Sequence, residues 1–140
     1  MRFTWEEEKI LKTELNIIYD TLRKHVDIHI PSIVIEESSY GSYVSYYGNK
    51  PMENPDRWRK NPGMPFGYMH IDRNYVSFDI YPNASYYNGS KAFGYAPSLA
   101  ALANKNGSIK IYNRFQLNEK ELSLFVTKGV EAFIKEGYII

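Results

Sequence analysis

Residues 67–82, GYMHIDRNYVSFDIYP, constrain the fold more than any other stretch of the chain. Tyr68, His70 and Asp72 alternate with Met69 and Ile71, and beyond a short polar turn Tyr75, Ser77 and Asp79 alternate with Val76, Phe78 and Ile80. A side-chain period of two belongs to strands, and two such runs about a tight turn predict a hairpin with one apolar and one polar face. The apolar face has to be covered, and the polar face is where function could sit.

The flanking sequence supplies the cover. Thr4 with Glu7 has capping-box spacing, and Leu11, Leu15, Ile18 and Leu22 behind it recur at helical intervals, predicting an amphipathic helix over 5–24. Asn118 with Glu121 repeats the pattern and starts a closing helix whose apolar face carries Leu122, Phe125, Val126, Val130, Phe133 and Ile134. Between the first helix and the hairpin, β-branched residues interrupted by Pro31 predict a strand over 28–35, paired antiparallel with another over 43–47. Residues 48–65 hold Pro51, Pro55, Pro62 and Pro65 with Gly48 and Gly63 and no periodicity, which predicts a long loop of the kind that often carries function. After the hairpin, 83–95 reads as a Tyr- and Gly-bearing loop, 97–103 as a short helix with proline in its first turn, and Ile109 to Tyr112 as a last strand. The expected architecture is α+β: a single domain over 1–140, built as a two-layer sandwich whose antiparallel sheet is covered on one face by the N- and C-terminal helices.

Over residues 66–138 the chain resembles the YdhG-like family of bacterial domains of unknown function. The resemblance rests on NYVSFDIYP, a strand running into proline, on Gly107-Ser108-Ile109-Lys110 at the start of the last strand, and on the capped helix ending in EGY. It implies a frataxin-like fold, and, because one branch of that family is described as an iron chaperone, it makes metal handling one expectation for function. The acidic positions Glu6, Glu7, Glu8, Glu14 and Asp20 match the acidic first helix of frataxin-like proteins, although Lys9, Lys12, Arg23 and Lys24 interrupt them. Glutamates in a first turn are also what the helix dipole favours without any metal.

Composition narrows the classes. Seventeen Lys and Arg against sixteen Asp and Glu leave a net charge of +1, which supplies no field for steering onto long nucleic acid or an anionic membrane. No cysteine is present, so disulfides, thiolate metal sites and a cysteine nucleophile are excluded together. The opening MRFTWEEEK lacks a secretory pattern and no apolar run approaches the length of a membrane span, so a cytoplasmic, membrane-free protein is expected. Asn83, Asn88 and Asn106 each begin an Asn-x-Ser triplet, to which that expectation assigns no glycan. The thirteen tyrosines are the conspicuous bias, and Tyr suits both a small core and a contacting surface.

Four groups of residues could carry chemistry. Trp58 among Asp56, Arg57, Arg59 and Lys60 combines a stacking ring with cations for phosphate or carboxylate, or simply pins the long loop. The polar hairpin face, Tyr68, His70, Asp72, Tyr75, Ser77 and Asp79, gains Lys110, Tyr112 and Arg114 if the last strand lies alongside, with Tyr86, Tyr87 and Lys91 of the next loop placed to close over it. Cross-strand pairing of charges at the surface accounts for the same residues. His25, Asp27 and His29 would share one side of a strand as metal ligands, or lie at a helix end where a histidine needs no ligand. Glu6 to Glu8 complete the set. No phosphate-binding loop, nucleophile elbow or zinc-protease motif occurs.

The expected function is non-enzymatic and free of cofactor and metal: a domain that senses or sequesters a small polar, nucleotide-like ligand through Arg57, Trp58, Arg59, Tyr68, His70, Tyr86, Tyr87, Lys91, Lys110 and Arg114. An iron chaperone and a protein-interaction or homodimerisation module are the alternatives.

Overall fold

The computed structural model describes residues 4–38, 43–53, 61–80, 96–104 and 108–140. Helix α1 (Trp5–Asp27) begins where the Thr4 side chain accepts a hydrogen bond from the Glu7 N–H at 3.1 Å, with three glutamates in the positive first turn. Its buried stripe is Leu15, Ile18, Tyr19, Leu22 and Val26, and Val26 carries the helix three residues past the expected Lys24. A turn follows, tied by His29 N–H to the Val26 carbonyl at 3.0 Å and Ile33 N–H to the His29 carbonyl at 3.1 Å, with a cis bond before Pro31. The first strand, β1 (Ile33–Glu37), therefore starts five residues later than the β-branched run predicts.

Next come β2 (Tyr43–Pro51), β3 (Gly63–Ile71), β4 (Val76–Ile80), the short helix α2 (Pro97–Ala100), β5 (Ile109–Ile111), a 3-10 turn (Arg114–Gln116) and helix α3 (Glu119–Glu136). The five strands pair in chain order, every neighbour antiparallel. Helices α1 and α3 pack together on one face of this sheet, giving the expected α+β two-layer sandwich.

The expected 48–65 loop is shorter than its composition implies. β2 runs through Gly48 to Pro51 and β3 opens at Gly63, with Met52 N–H bonded to the Pro62 carbonyl at 2.9 Å. Pro51 and Pro65 fit a sheet because they sit at the irregularities in β2–β3 register. Gly48 is required there: a Cβ would lie 2.3 Å from the Tyr138 carbonyl oxygen, which also accepts from Lys50 N–H.

The core joins Ile18, Leu22 and Val26 of α1 and Leu122, Phe125, Val126 and Phe133 of α3 to the inner strand residues Ile33, Val44, Phe66, Met69, Val76, Phe78 and Ile111. Phe133 stands edge-on to Phe66 with ring centroids 5.0 Å apart and meets Tyr138 at 5.1 Å. Ile134, expected on the buried face, is 56% exposed, because α3 turns its Phe133 side to the sheet. Asn118 caps α3 by accepting from Glu121 N–H at 3.2 Å, but the Glu121 carboxylate does not close the box; it accepts from Ser98 N–H at 2.9 Å and so ties α2 to α3. α3 ends on Gly137 at φ +85°, the left-handed stop that glycine tolerates best.

Candidate functional site

Strand alternation and register decide what the face turned away from the helices presents. Glu36, Ser45, Tyr68 and Asp79 are paired in one rung across β1 to β4, and Tyr43, His70, Ser77 and Lys110 form the next outward rung across β2 to β5. Directly opposed residues of an antiparallel pair point to the same side, so each rung is one row of side chains. The intervening rung, Val44, Met69, Phe78 and Ile109, is fully buried against the helices.

A break in the β2–β3 register gives this face its relief. Tyr46 pairs with Gly67, the next residue Tyr47 pairs with Pro65, and Phe66 is the extra residue of the bulge. Phe66 turns into the core against Phe133, and Gly67 has no side chain, so nothing projects outward between Pro65 and Tyr68. A depression of about 140 Å³ results, with the buried residues Ser45, Tyr46 and Gly67 at its floor and Tyr43, Tyr47, Pro65 and Tyr68 around it. Gly67 admits no Cβ, which would fall 2.2 Å from the Asp79 carbonyl oxygen.

Rings line the rest of the face. Tyr43 and Tyr68 stack at 5.8 Å with planes 28° apart, and Tyr68 and His70 stack at 6.3 Å and 26°. Ser45 donates its hydroxyl to the Tyr43 phenol oxygen at 2.9 Å, which fixes the first ring over the floor. Tyr43 is 41% and Tyr68 36% exposed. His70 Nε2 lies 3.5 Å from Asp72, while its buried Nδ1 has no partner among the described residues.

At the hairpin end Asp72 is held below the ordinary carboxylate range, first by the Arg73 backbone N–H at 2.7 Å and then by the Tyr75 phenol, whose own pKa rises because it donates to that carboxylate. Lys110 places Nζ 4.8 Å from the Tyr75 ring centre, and Tyr75 meets Tyr112 at 5.5 Å. Asp79 accepts from the Ser108 hydroxyl at 3.0 Å.

The structure thus gathers Tyr68, His70 and Lys110 on one face, as the sequence predicts. Arg114 does not join them. It lies beyond β5 in the 3-10 turn, where its backbone N–H donates to Glu14 of α1 at 2.9 Å and its Nε stands 3.7 Å from the same carboxylate, on the helical side of the sheet. Arg57, Trp58, Arg59, Tyr86, Tyr87 and Lys91 lie outside the described residues, as do Asp56 and Lys60. Sequence reasoning missed Tyr43, Ser45 and Tyr47. The signal was present as their alternation with Val44 and Tyr46, but without a register nothing attached them to the hairpin face.

His25, Asp27 and His29 do not share a strand, because α1 continues to Asp27 and sends them apart. His25 meets Glu119 at 2.8 Å, Asp27 accepts from the Tyr46 phenol at 2.7 Å, and His29 is half-buried with Nε2 unpartnered among the described residues. Burial holds the His29 pKa below its ordinary value. Glu6, Glu7, Glu8 and Asp20 are exposed, and Glu14 is engaged by Arg114. No group of three or more potential metal ligands gathers among the described residues. A second hollow, about 530 Å³, lies along α3 beside His25 and is lined by Glu119, Lys120, Ser123, Leu124 and Thr127. Its Glu119 is already engaged, since it also accepts from Lys24 at 2.9 Å and both contacts hold its carboxyl below the usual range.

No family model, curated protein or solved structure matches this chain. The YdhG-like resemblance therefore transfers no site residue, and the site rests on its own geometry. No described helix is long and apolar enough to cross a membrane.

Proposed function

We propose that this domain is a non-enzymatic binding protein that holds a small polar ligand on the outer face of its sheet. The observation that carries the reading is the cluster of Tyr43, Tyr68 and His70 rings on adjacent strands, their centroids 5.8, 6.3 and 6.4 Å apart, on the sheet face turned away from the helices. Rings held by strand pairing and by the Ser45 hydroxyl are ordered before any ligand arrives, so little further ordering opposes binding. The nucleotide-like form of this function counted on several cations. With Arg114 engaged by Glu14, Lys110 is the cation that the two outward rungs provide, two strands or about 10 Å from His70. The proposal is accordingly made for a small polar ligand, with the nucleotide as one class to be screened.

Calorimetric screening of nucleotides, nucleosides and small polar amines against the wild-type chain and Tyr43→Ala/Tyr68→Ala tests it. Both rings are substantially exposed, so the variant should keep its cooperative melt. Stacking on an aromatic side chain contributes about 1–3 kcal/mol by alanine substitution, so affinity should fall at least fivefold. A screen without any saturable ligand, or ligands that bind the double variant equally well, would reject the proposal.

A further inference from the structure

The depression beside Tyr68 has a chemistry of its own. At about 140 Å³ it is well below the roughly 300–1,000 Å³ of pockets that enclose a whole small molecule, so it takes one compact head group. Its walls are Tyr43, Tyr47 and Tyr68 with Pro65, and a ring face carries negative potential that attracts a cation. The rung that crosses its floor supplies the matching charge. Glu36 is paired with floor residue Ser45, and Asp79 with wall residue Tyr68, so a carboxylate stands one strand to either side, about 5 Å in the pairing direction. Lys110 belongs to the neighbouring rung and is drawn over the Tyr75 ring, on the far side of the face from β2. An anionic head group would meet two carboxylates here, and a neutral one would leave their charge uncompensated, since the Ser108 hydroxyl that Asp79 accepts from carries none.

We infer that the Tyr43–Tyr47–Tyr68 cup is a binding site for a small organic cation, a substituted ammonium head group seated on the rings between Glu36 and Asp79. The inference rests on the reading of the outer face as a ligand surface and names the class of ligand. The cation sits against ring faces while Ser45, whose proton is committed to Tyr43, offers only lone pairs at the floor. Any longer part of the ligand extends across Tyr68 toward His70, whose ring lies 6.3 Å from Tyr68 and 6.4 Å from Tyr43.

Choline and its neutral isostere 3,3-dimethylbutan-1-ol distinguish charge from shape. Titrated into the protein at low salt and followed by calorimetry and by tyrosine ring resonances, choline should saturate and the isostere should bind at least tenfold more weakly. Tyr68→Leu should weaken choline about two- to fivefold, the range for one ring at an exposed site, while Tyr68→Phe should retain it. Glu36→Gln with Asp79→Asn should weaken choline further and flatten its salt dependence; Asn at 79 can still accept from Ser108. Equal binding of the isostere, or an unchanged affinity in Tyr68→Leu with the melt preserved, would overturn the cation assignment. If choline fails while another polar ligand binds in a manner lost in Tyr43→Ala/Tyr68→Ala, the ligand face stands and the cation falls. If nothing depends on those tyrosines, both fall.

Discussion

Tyr46 offers a sharp test of how α1 is locked to the sheet. Its side chain is fully buried on the helix side, and its phenol donates to Asp27 at 2.7 Å while Arg23 reaches the other carboxylate oxygen at 3.2 Å and also pairs with Glu37. Burial, and then the bond to Asp27, push the phenol pKa far above its usual value, so the Tyr46 hydroxyl keeps its proton and donates it to the Asp27 carboxylate. Tyr46→Phe keeps the ring in the core and removes the hydroxyl, which donates to Asp27 and also meets Arg23. A hydrogen bond to a charged group contributes about 1.5–3 kcal/mol. Asp27 is 32% exposed and keeps Arg23, so water can replace part of the loss and the lower end, about 1.5 kcal/mol, is expected. For a chain of this size that lowers Tm by roughly 5 °C. Urea denaturation of Tyr46→Phe, Asp27→Asn and the double variant completes the cycle, and a coupling of at least about 1 kcal/mol should appear. A loss below about 0.5 kcal/mol with no coupling would show that the contact does not hold the helix.

Three further outcomes follow from the same geometry. Gly48→Ala puts a methyl group 2.3 Å from the Tyr138 carbonyl oxygen and 3.3 Å from the Phe133 ring, so strand and C-terminal segment must part, at a cost of about 1–3 kcal/mol in chemical denaturation; an unchanged midpoint would refute the close approach. His29 has a folded pKa below its ordinary 6.5, so the unfolded chain takes up the proton first and stability is lost as pH falls through that value, levelling off below the folded pKa. His29→Gln should therefore lose less stability than wild type between pH 7.5 and 5, and parallel curves would contradict this. Tyr75→Phe should let the Asp72 carboxyl rise toward its ordinary pKa while the Arg73 N–H still holds it below, as read by carboxyl-carbon NMR; an unmoved titration would exclude the Tyr75 contact.

How much of this was legible before the structure depends on the range of the interaction. The hairpin could be read because alternation is local: Met69 and Phe78 are buried, Tyr68 and Asp79 are not, and a short polar turn leaves the two strands little choice of partner. The helix starts could be read for the same reason, since Thr4 and Asn118 each cap an N–H three residues on. The stop of α1 could not, because Asp27 is held by Tyr46 from a strand 19 residues away.

Local pattern was enough to say which residues alternate, where helices begin, and that the hairpin has a polar face rich in rings. Tertiary structure decided which strands border that hairpin, and with them the site. A period of two says which side chains share a face of their own strand, but neither which strand lies next to it nor in what register. Pairing with β2 brought Tyr43, Ser45 and Tyr47 to Tyr68, and the bulge at Phe66 opened the cup between them. The ion pair with Glu14 took Arg114 away from the face on which its spacing had placed it. Each of these outcomes is an energy between residues distant in the chain, and no local pattern encodes it.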